Sequence, residues 1–142
     1  MIQQGVTILG QNIGYIKVVW THVDLGSNTH ISNSTDHVQN IQSTTDGLGQ
    51  VSGAKAPFHS IGNWPVILGQ QLISLPDTLV MPGNPTSTLG GNALKDKSGF
   101  IRVTHEMNLY FRIEVNKQSF TYAASTDTLR TYNGLDYIPL LL

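Results

Sequence analysis

The sequence predicts an all-β domain, an antiparallel β-sandwich or jelly roll with long loops, on three observations. First, only 12% of the residues are charged, about half the usual share, and Ser, Thr, Asn, Gln and Gly take the exposed positions instead. Two Glu, five Lys and five Ala leave little material for the solvent face of a helix, so helix is expected only as single turns. Second, tracts such as Ile16 to Trp20 and Met107 to Val115 are apolar and aromatic enough to require burial, which excludes a disordered chain. Third, short runs of period two recur between Gly, Pro and Asn breakers, with no βαβ spacing. The 142 residues make a single domain, 1–142, able to bury a core without disulfide or metal staples.

From the N-terminus, Val6 to Leu9 and Ile13 to His22 read as strands around Gly10-Gln11-Asn12, the second with Ile16, Val18 and Trp20 on one face. The stretch Asp24 to Asn63 has isolated apolar residues that match neither period, and 13 of the 19 residues from Ser27 to Thr45 are Ser, Thr, Asn or Gln. It is expected as long loops with one or two short strands. Val66 to Leu68 and Gln71 to Leu75 are short strands, closed by Pro65 and Pro76 and placed near an edge. Leu79-Val80-Met81 is a further strand before the loop Pro82-Gly83-Asn84-Pro85.

Residues 100 to 123 read as a three-stranded meander: Phe100 to Thr104, a link at His105-Glu106, the long strand Met107 to Val115, a turn at Asn116-Lys117-Gln118, then Ser119 to Ala123. The long strand directs Met107, Leu109, Phe111, Ile113 and Val115 to one side. Thr128 to Tyr132 and Leu135 to Leu142 flank Asn133-Gly134, the pair that accepts positive φ in a type I′ hairpin turn. The last five residues are apolar, and Pro139 cannot donate to a ladder, so this tail is expected at a sheet edge or a subunit interface.

Motifs for chemistry are scarce, and no catalytic residue, cofactor or metal site is expected. The absence of Cys excludes disulfides, thiolate metal sites and cysteine nucleophiles. His22 and Asp24 form at most a two-ligand fragment, His30, His37 and His59 fall in expected loops, and His105-Glu106 is not a zinc motif, since position 109 is Leu. The glycines of Gly47 to Gly53 miss the dinucleotide fingerprint. Two Glu make glycoside hydrolysis unattractive. A net charge of −1 without a basic run argues against nucleic acid. Met1-Ile2-Gln3-Gln4 lacks a basic leader, and no apolar run approaches the roughly 18 residues of a membrane helix, so neither signal peptide nor membrane insertion is expected.

The aromatics Trp20, Trp64, Tyr110, Tyr132 and Tyr137 are candidate sugar-stacking faces, because a ring covers sugar C–H groups while amides bond the hydroxyls. Trp64, between Asn63 and Pro65, is the stronger candidate, whereas Trp20 is assigned to packing with Ile16 and Val18. The neutral, donor-rich stretch adds Asn33, Ser34, Thr35 and Gln42, with Asn84 from the breaker loop, as candidate receptor or glycan contacts. Tyr137, Ile138, Leu140, Leu141 and Leu142 are candidate oligomer-interface residues.

Composition, breaker-rich short strands and the apolar C-terminus together resemble a bacteriophage or viral structural protein, such as a tail-needle knob, spike or capsid decoration. The resemblance implies a jelly roll like that of tumour necrosis factor and a homotrimer on the virion, outside the cell. It further implies a non-enzymatic role in host attachment or capsid stabilisation, with other virion proteins or a host-surface glycan or receptor as partners. The alternative from another class is a soluble carbohydrate-binding, lectin-like module.

Overall fold

Strand-forming residues between Gly, Pro and Asn breakers make up most of the chain, and where one face is buried they alternate with period two. The computed structural model describes residues 2–8, 11–51, 54–100, 102–115 and 117–141. Met1, Leu9, Gly10, Ser52, Gly53, Ile101, Asn116 and Leu142 lie outside the described residues. In chain order the elements are β1 (Ile2–Ile8), β2 (Gln11–Asp24), β3 (Ile31–Ser32), β4 (Gln39–Val51), β5 (Ala54–Leu68), β6 (Gln71–Val80), β7 (Thr88–Gly90), α1 (Gly91–Lys97), β8 (Arg102–Glu106), β9 (Tyr110–Val115), β10 (Gln118–Ala123), β11 (Arg130–Tyr132) and β12 (Leu135–Leu141).

These elements form two sheets, and the chain is an all-β sandwich. The larger sheet has nine strands in the order β1-β2-β7-β3-β6-β5-β12-β11, with β4 paired to β5. Because β12 also pairs with β2, the path from β2 through β7, β3, β6, β5 and β12 closes on itself, so each strand of that ring has a neighbour on both sides, while β1, β4 and β11 remain at edges. Most pairings are antiparallel, but β2–β7 and β3–β6 are parallel, so the sheet is mixed. The second sheet is the expected meander, β10-β9-β8. Trp64, Val66 and Leu68 of β5, Leu75 of β6 and Ile138 and Leu140 of β12 pack with Phe111 and Ile113 of β9 and Tyr122 of β10 in one core. Gly69 N–H donates to the Tyr122 hydroxyl at 3.0 Å, joining the β5–β6 turn to the meander.

Several expectations are corrected here. In the stretch Asp24 to Asn63, expected as long loops with one or two short strands, residues 39–63 are largely the long hairpin of β4 and β5. Gln39 to Ser43 are exposed on both faces of the strand, so no apolar alternation marks it. Pro65 and Pro76 do not end their strands. The alternation set by the two-residue turn at Gly69-Gln70 makes Pro65↔Ser74 a pair whose nitrogens face away from each other. On the other side of Pro65, β4 pairing has stopped at Asn63 and β12 pairing begins at Ile67. Pro76 and Asp77 sit where the register slips between Trp64↔Leu75 and Gly62↔Thr78, a bulge that tolerates proline. Asp77 takes φ 52° there, and Thr78 Oγ1 caps the bulge by donating to the Leu75 carbonyl at 3.0 Å.

β12 is interior, although Pro139 argued for an edge. Its register places Pro139 opposite Trp20 of β2, beyond the last β11 pair at Tyr137 and before the β5 pair at Leu141, so the missing N–H falls in a gap. The strand expected from Met107 starts at Tyr110 instead. Asn108 adopts φ 66°, Leu109 N–H closes a turn onto the Glu106 carbonyl at 3.0 Å, and Met107 and Leu109 are exposed at the tip. The helix α1 exceeds the single turns expected; its Ala93-Leu94-Lys95 segment concentrates helix formers in a chain otherwise poor in them.

Gly90-Gly91 allows α1 to pack against the 25–29 loop, since a Cβ on Gly90 would collide with the Thr29 carbonyl and one on Gly91 would lie 2.6 Å from Leu25 backbone. His30 is fully buried beside this junction. Its Nδ1 accepts the Gly90 N–H at 3.1 Å and its Nε2 lies 3.4 Å from Ser98 Oγ. Burial, with the Lys97 charge second, pushes His30 down to about 4.

Two predictions come from this core. Phe111→Ala should cost about 3 to 5 kcal/mol in chemical denaturation, and Arg112→Ala on the exposed face well under that. For His30, the unfolded chain takes up a proton near pH 6.5 that the folded chain refuses until about 4. Stability should therefore be full above pH 6.5 and fall by roughly 3 kcal/mol as the pH drops to 4. Denaturation midpoints across that range, compared with His30→Asn, check this: the variant should lack that component of the pH dependence.

Candidate functional site

The hairpin of β11 and β12 turns through Asn133-Gly134 at φ 51° and 75°, as the sequence predicts. This fixes which side chains point outward. Tyr132 pairs with Leu135 and Arg130 with Tyr137, and on the other flank His22 pairs with Tyr137 and Trp20 with Pro139. Asp136, Ile138 and Leu140 point inward and are fully buried. The outward set therefore brings together Trp20, Arg130, Tyr132, Leu135 and Tyr137. With Asn133 and with Pro85 and Thr86 from the 82–86 loop, they line a groove of about 520 Å³.

Each wall has a visible support. Arg130 lies over the Trp20 ring, 4.2 Å from its centroid, and donates from Nε to Asp127 Oδ1 at 3.0 Å and from Nη2 to Oδ2 at 2.9 Å. Those hydrogen bonds, and then the charge of Arg130, hold the Asp127 carboxyl below its usual range. Tyr137 packs at 48° on the His22 ring, with centroids 5.9 Å apart. Burial lowers the His22 pKa, against the charges of Asp24 and Asp136 that would raise it. Tyr132 is 69% exposed and presents an open ring face.

Beneath this hairpin lies Asp136, a carboxylate held by three segments. Oδ2 contacts His105 Nε2 at 2.7 Å and accepts the Asn108 N–H at 2.8 Å, while Oδ1 accepts from Thr131 Oγ1 at 2.6 Å. Burial works against its charge, but the bonds from Thr131, Asn108 and His105 outweigh it and keep the pKa below the usual carboxylate value. The Thr131 hydroxyl also lies 3.1 Å from Asn108 Oδ1. The cluster ties β8 and the 106–109 turn to the back of the groove.

The residues expected to make contacts are dispersed. Trp64 is fully buried in β5, not in a loop, and cannot stack on a ligand; among the described residues its Nε1 has no hydrogen-bond partner. Asn33 and Asn84 do come together, since Asn33 Nδ2 donates to the Asn84 and Pro85 carbonyls at 3.4 and 3.3 Å. Asn33 N–H donates to Ser87 Oγ at 3.0 Å, so these bonds fasten the loop beside the groove. Ser34 Oγ accepts the Asp36 N–H at 3.2 Å and caps a single 3-10 turn; Thr35 and Gln42 are exposed.

Among the expected interface residues, Ile138 and Leu140 are covered by the chain's own core, so they are not an open subunit surface. Leu141 is half-buried on β5, and Tyr137 faces the groove. Trp20, expected to pack in the core, lines the groove; within the part of β2 whose burial is described, residues 18–24, Thr21 and Val23 are the buried ones. The cross-strand register that unites Trp20, Tyr132 and Tyr137 was not readable from any one segment.

Compared with protein-family models, curated proteins and solved structures, the chain has no match. Fold and groove define it as an all-β sandwich with an aromatic surface cleft. No helix among the described residues is long and apolar enough to cross a membrane.

Asp136→Ala removes a fully buried acceptor from three donors, His105 half-buried and Asn108 and Thr131 exposed, and should cost about 2 kcal/mol in urea denaturation. Asp136→Asn, which keeps the shape and one acceptor oxygen, should lose less. The carboxylate's contribution should be present above pH 4 and disappear as the pH falls through its lowered value.

Proposed function

We propose that this chain is a non-enzymatic binding protein that takes a saccharide in the groove formed by β2, β11, β12 and the 82–86 loop. The supporting observation is the gathering of Trp20, Tyr132 and Tyr137 on one outward face, with Arg130, Asn133 and Thr86 at the rim. The Tyr132 and Tyr137 rings cover the apolar C–H faces of a sugar, Trp20 under Arg130 closes the wall, and the polar groups of the lining supply donors and acceptors for its hydroxyls. A site that holds its ligand by stacking and neutral hydrogen bonds fits attachment better than catalysis.

The setting we propose is the surface of a virion, with the chain as a homotrimeric attachment or decoration part; the free lectin-like module uses the same groove. The assembled setting is favoured by two long ribbons. Residues 2–8 pair with 11–18, and 47–51 with 54–58. Isolated two-stranded ribbons are marginal in water, so neighbouring subunits or other virion proteins that cover them would stabilise the chain.

The test is a glycan array probed with the wild-type protein and with Tyr132→Ala, whose exposed ring can be removed with little effect on the fold. Tyr132→Ala should bind at least tenfold more weakly with its melting temperature nearly unchanged. Undiminished binding by the variant, or no glycan bound by the parent, overturns the reading. Light scattering should give a trimer mass; a monomer would remove the assembled setting and leave the lectin-like one.

A further inference from the structure

Resting on the saccharide reading of the groove, we infer that Asp127 restricts it to uncharged sugars by neutralising Arg130, the one charged group among the described residues that line it. The lining is otherwise uncharged: Trp20, Pro85, Thr86, Tyr132, Asn133, Leu135 and Tyr137. A lone arginine among aromatic rings would ordinarily recruit a carboxylate, because its planar fork matches one bidentately. Here that fork is occupied from the side. Nε and Nη2 both bond the Asp127 carboxylate, at 3.0 and 2.9 Å.

The face of the guanidinium is also engaged, stacked 4.2 Å from the centroid of Trp20. The arginine is thus fixed by two different contacts, with one of its two bidentate edges taken by Asp127. An acidic sugar approaching Nη1 and the second Nη2 N–H would meet the Asp127 carboxylate a few ångströms further on, so the attraction is offset and the cost of taking the sugar's own charge out of water is left uncompensated. A neutral sugar feels no such opposition and gains a flat, donor-bearing surface beside Tyr132. The pair is exposed, at 55% and 73% of the two side chains. Its effect therefore lies in selection, not in fold stability.

Asp127 lies outside the groove lining and takes φ 57°, a left-handed conformation that Asn adopts readily, so Asp127→Asn removes the charge without straining the turn. The experiment titrates wild-type protein and D127N with a neutral oligosaccharide that binds on the array and with the same oligosaccharide carrying one uronic or sialic acid, in low salt. Wild type should prefer the neutral form by at least tenfold, and D127N should shift the acidic-to-neutral affinity ratio at least tenfold toward the acidic form. Equal binding of both forms by wild type, or an unchanged ratio in D127N, overturns the inference while leaving the saccharide reading intact. If neither protein binds any oligosaccharide, the saccharide reading fails and the inference falls with it.

Discussion

β12 bonds to β2 along five residue pairs and to β11 along three, and it meets β5 at Leu141↔Ile67. Closure of the large sheet depends on that strand, and so does the groove. One run of seven residues serves two environments because of its period of two. Ile138 and Leu140 fill the core while Leu135 and Tyr137 face the cleft. A slip of one residue would exchange these sets and place Asp136 outside. Asp136 guards the register, since its three donors come from β8, the 106–109 turn and β11.

The prolines show how such a sheet accommodates residues that cannot donate. Pro65 and Pro139 stand where their strands change partners, β4 giving way to β12 beside β5, and β11 giving way to β5 beside β12. At such a switch one flank has no ladder, so a missing N–H leaves no acceptor without a partner. Pro76 lies in a bulge with the same result. Proline signals the local absence of a hydrogen bond on one flank, and that occurs inside a sheet whenever neighbours change along a strand.

This explains what was legible in the sequence and what was not. The all-β class, the meander of 102–123 and the type I′ turn at Asn133-Gly134 follow from local signals, which the structure preserves. The start of β4 is hidden in the sequence because Gln39 to Ser43 are exposed on both faces, and such a segment has no reason to alternate. Trp64 looked like a loop residue because Gly62, Asn63 and Pro65 surround it, yet Gly62 permits close approach: a Cβ there would lie 2.6 Å from Val38. The apolar tail suggested a second subunit, since nothing local says that a chain end will return to the middle of its own sheet. Tyr132 and Tyr137 read as stacking faces and Trp20 as a packing residue, and their union is a matter of cross-strand register, which no single segment carries.

The low charge of the chain and the character of its cleft belong together. With 12% charged residues, solubility rests on uncharged hydrogen-bonding groups, and an open aromatic face on such a surface invites self-association. Arg130 moderates this by lying across Trp20, so that one of the rings is covered by a hydrated cation. The cation in turn is held by Asp127, and the local net charge stays near zero. Tyr132 and Tyr137 keep their apolar faces beside polar hydroxyls, a combination that stays wet at one end. The cleft thus combines apolar ring faces with polar groups and a near-zero local charge.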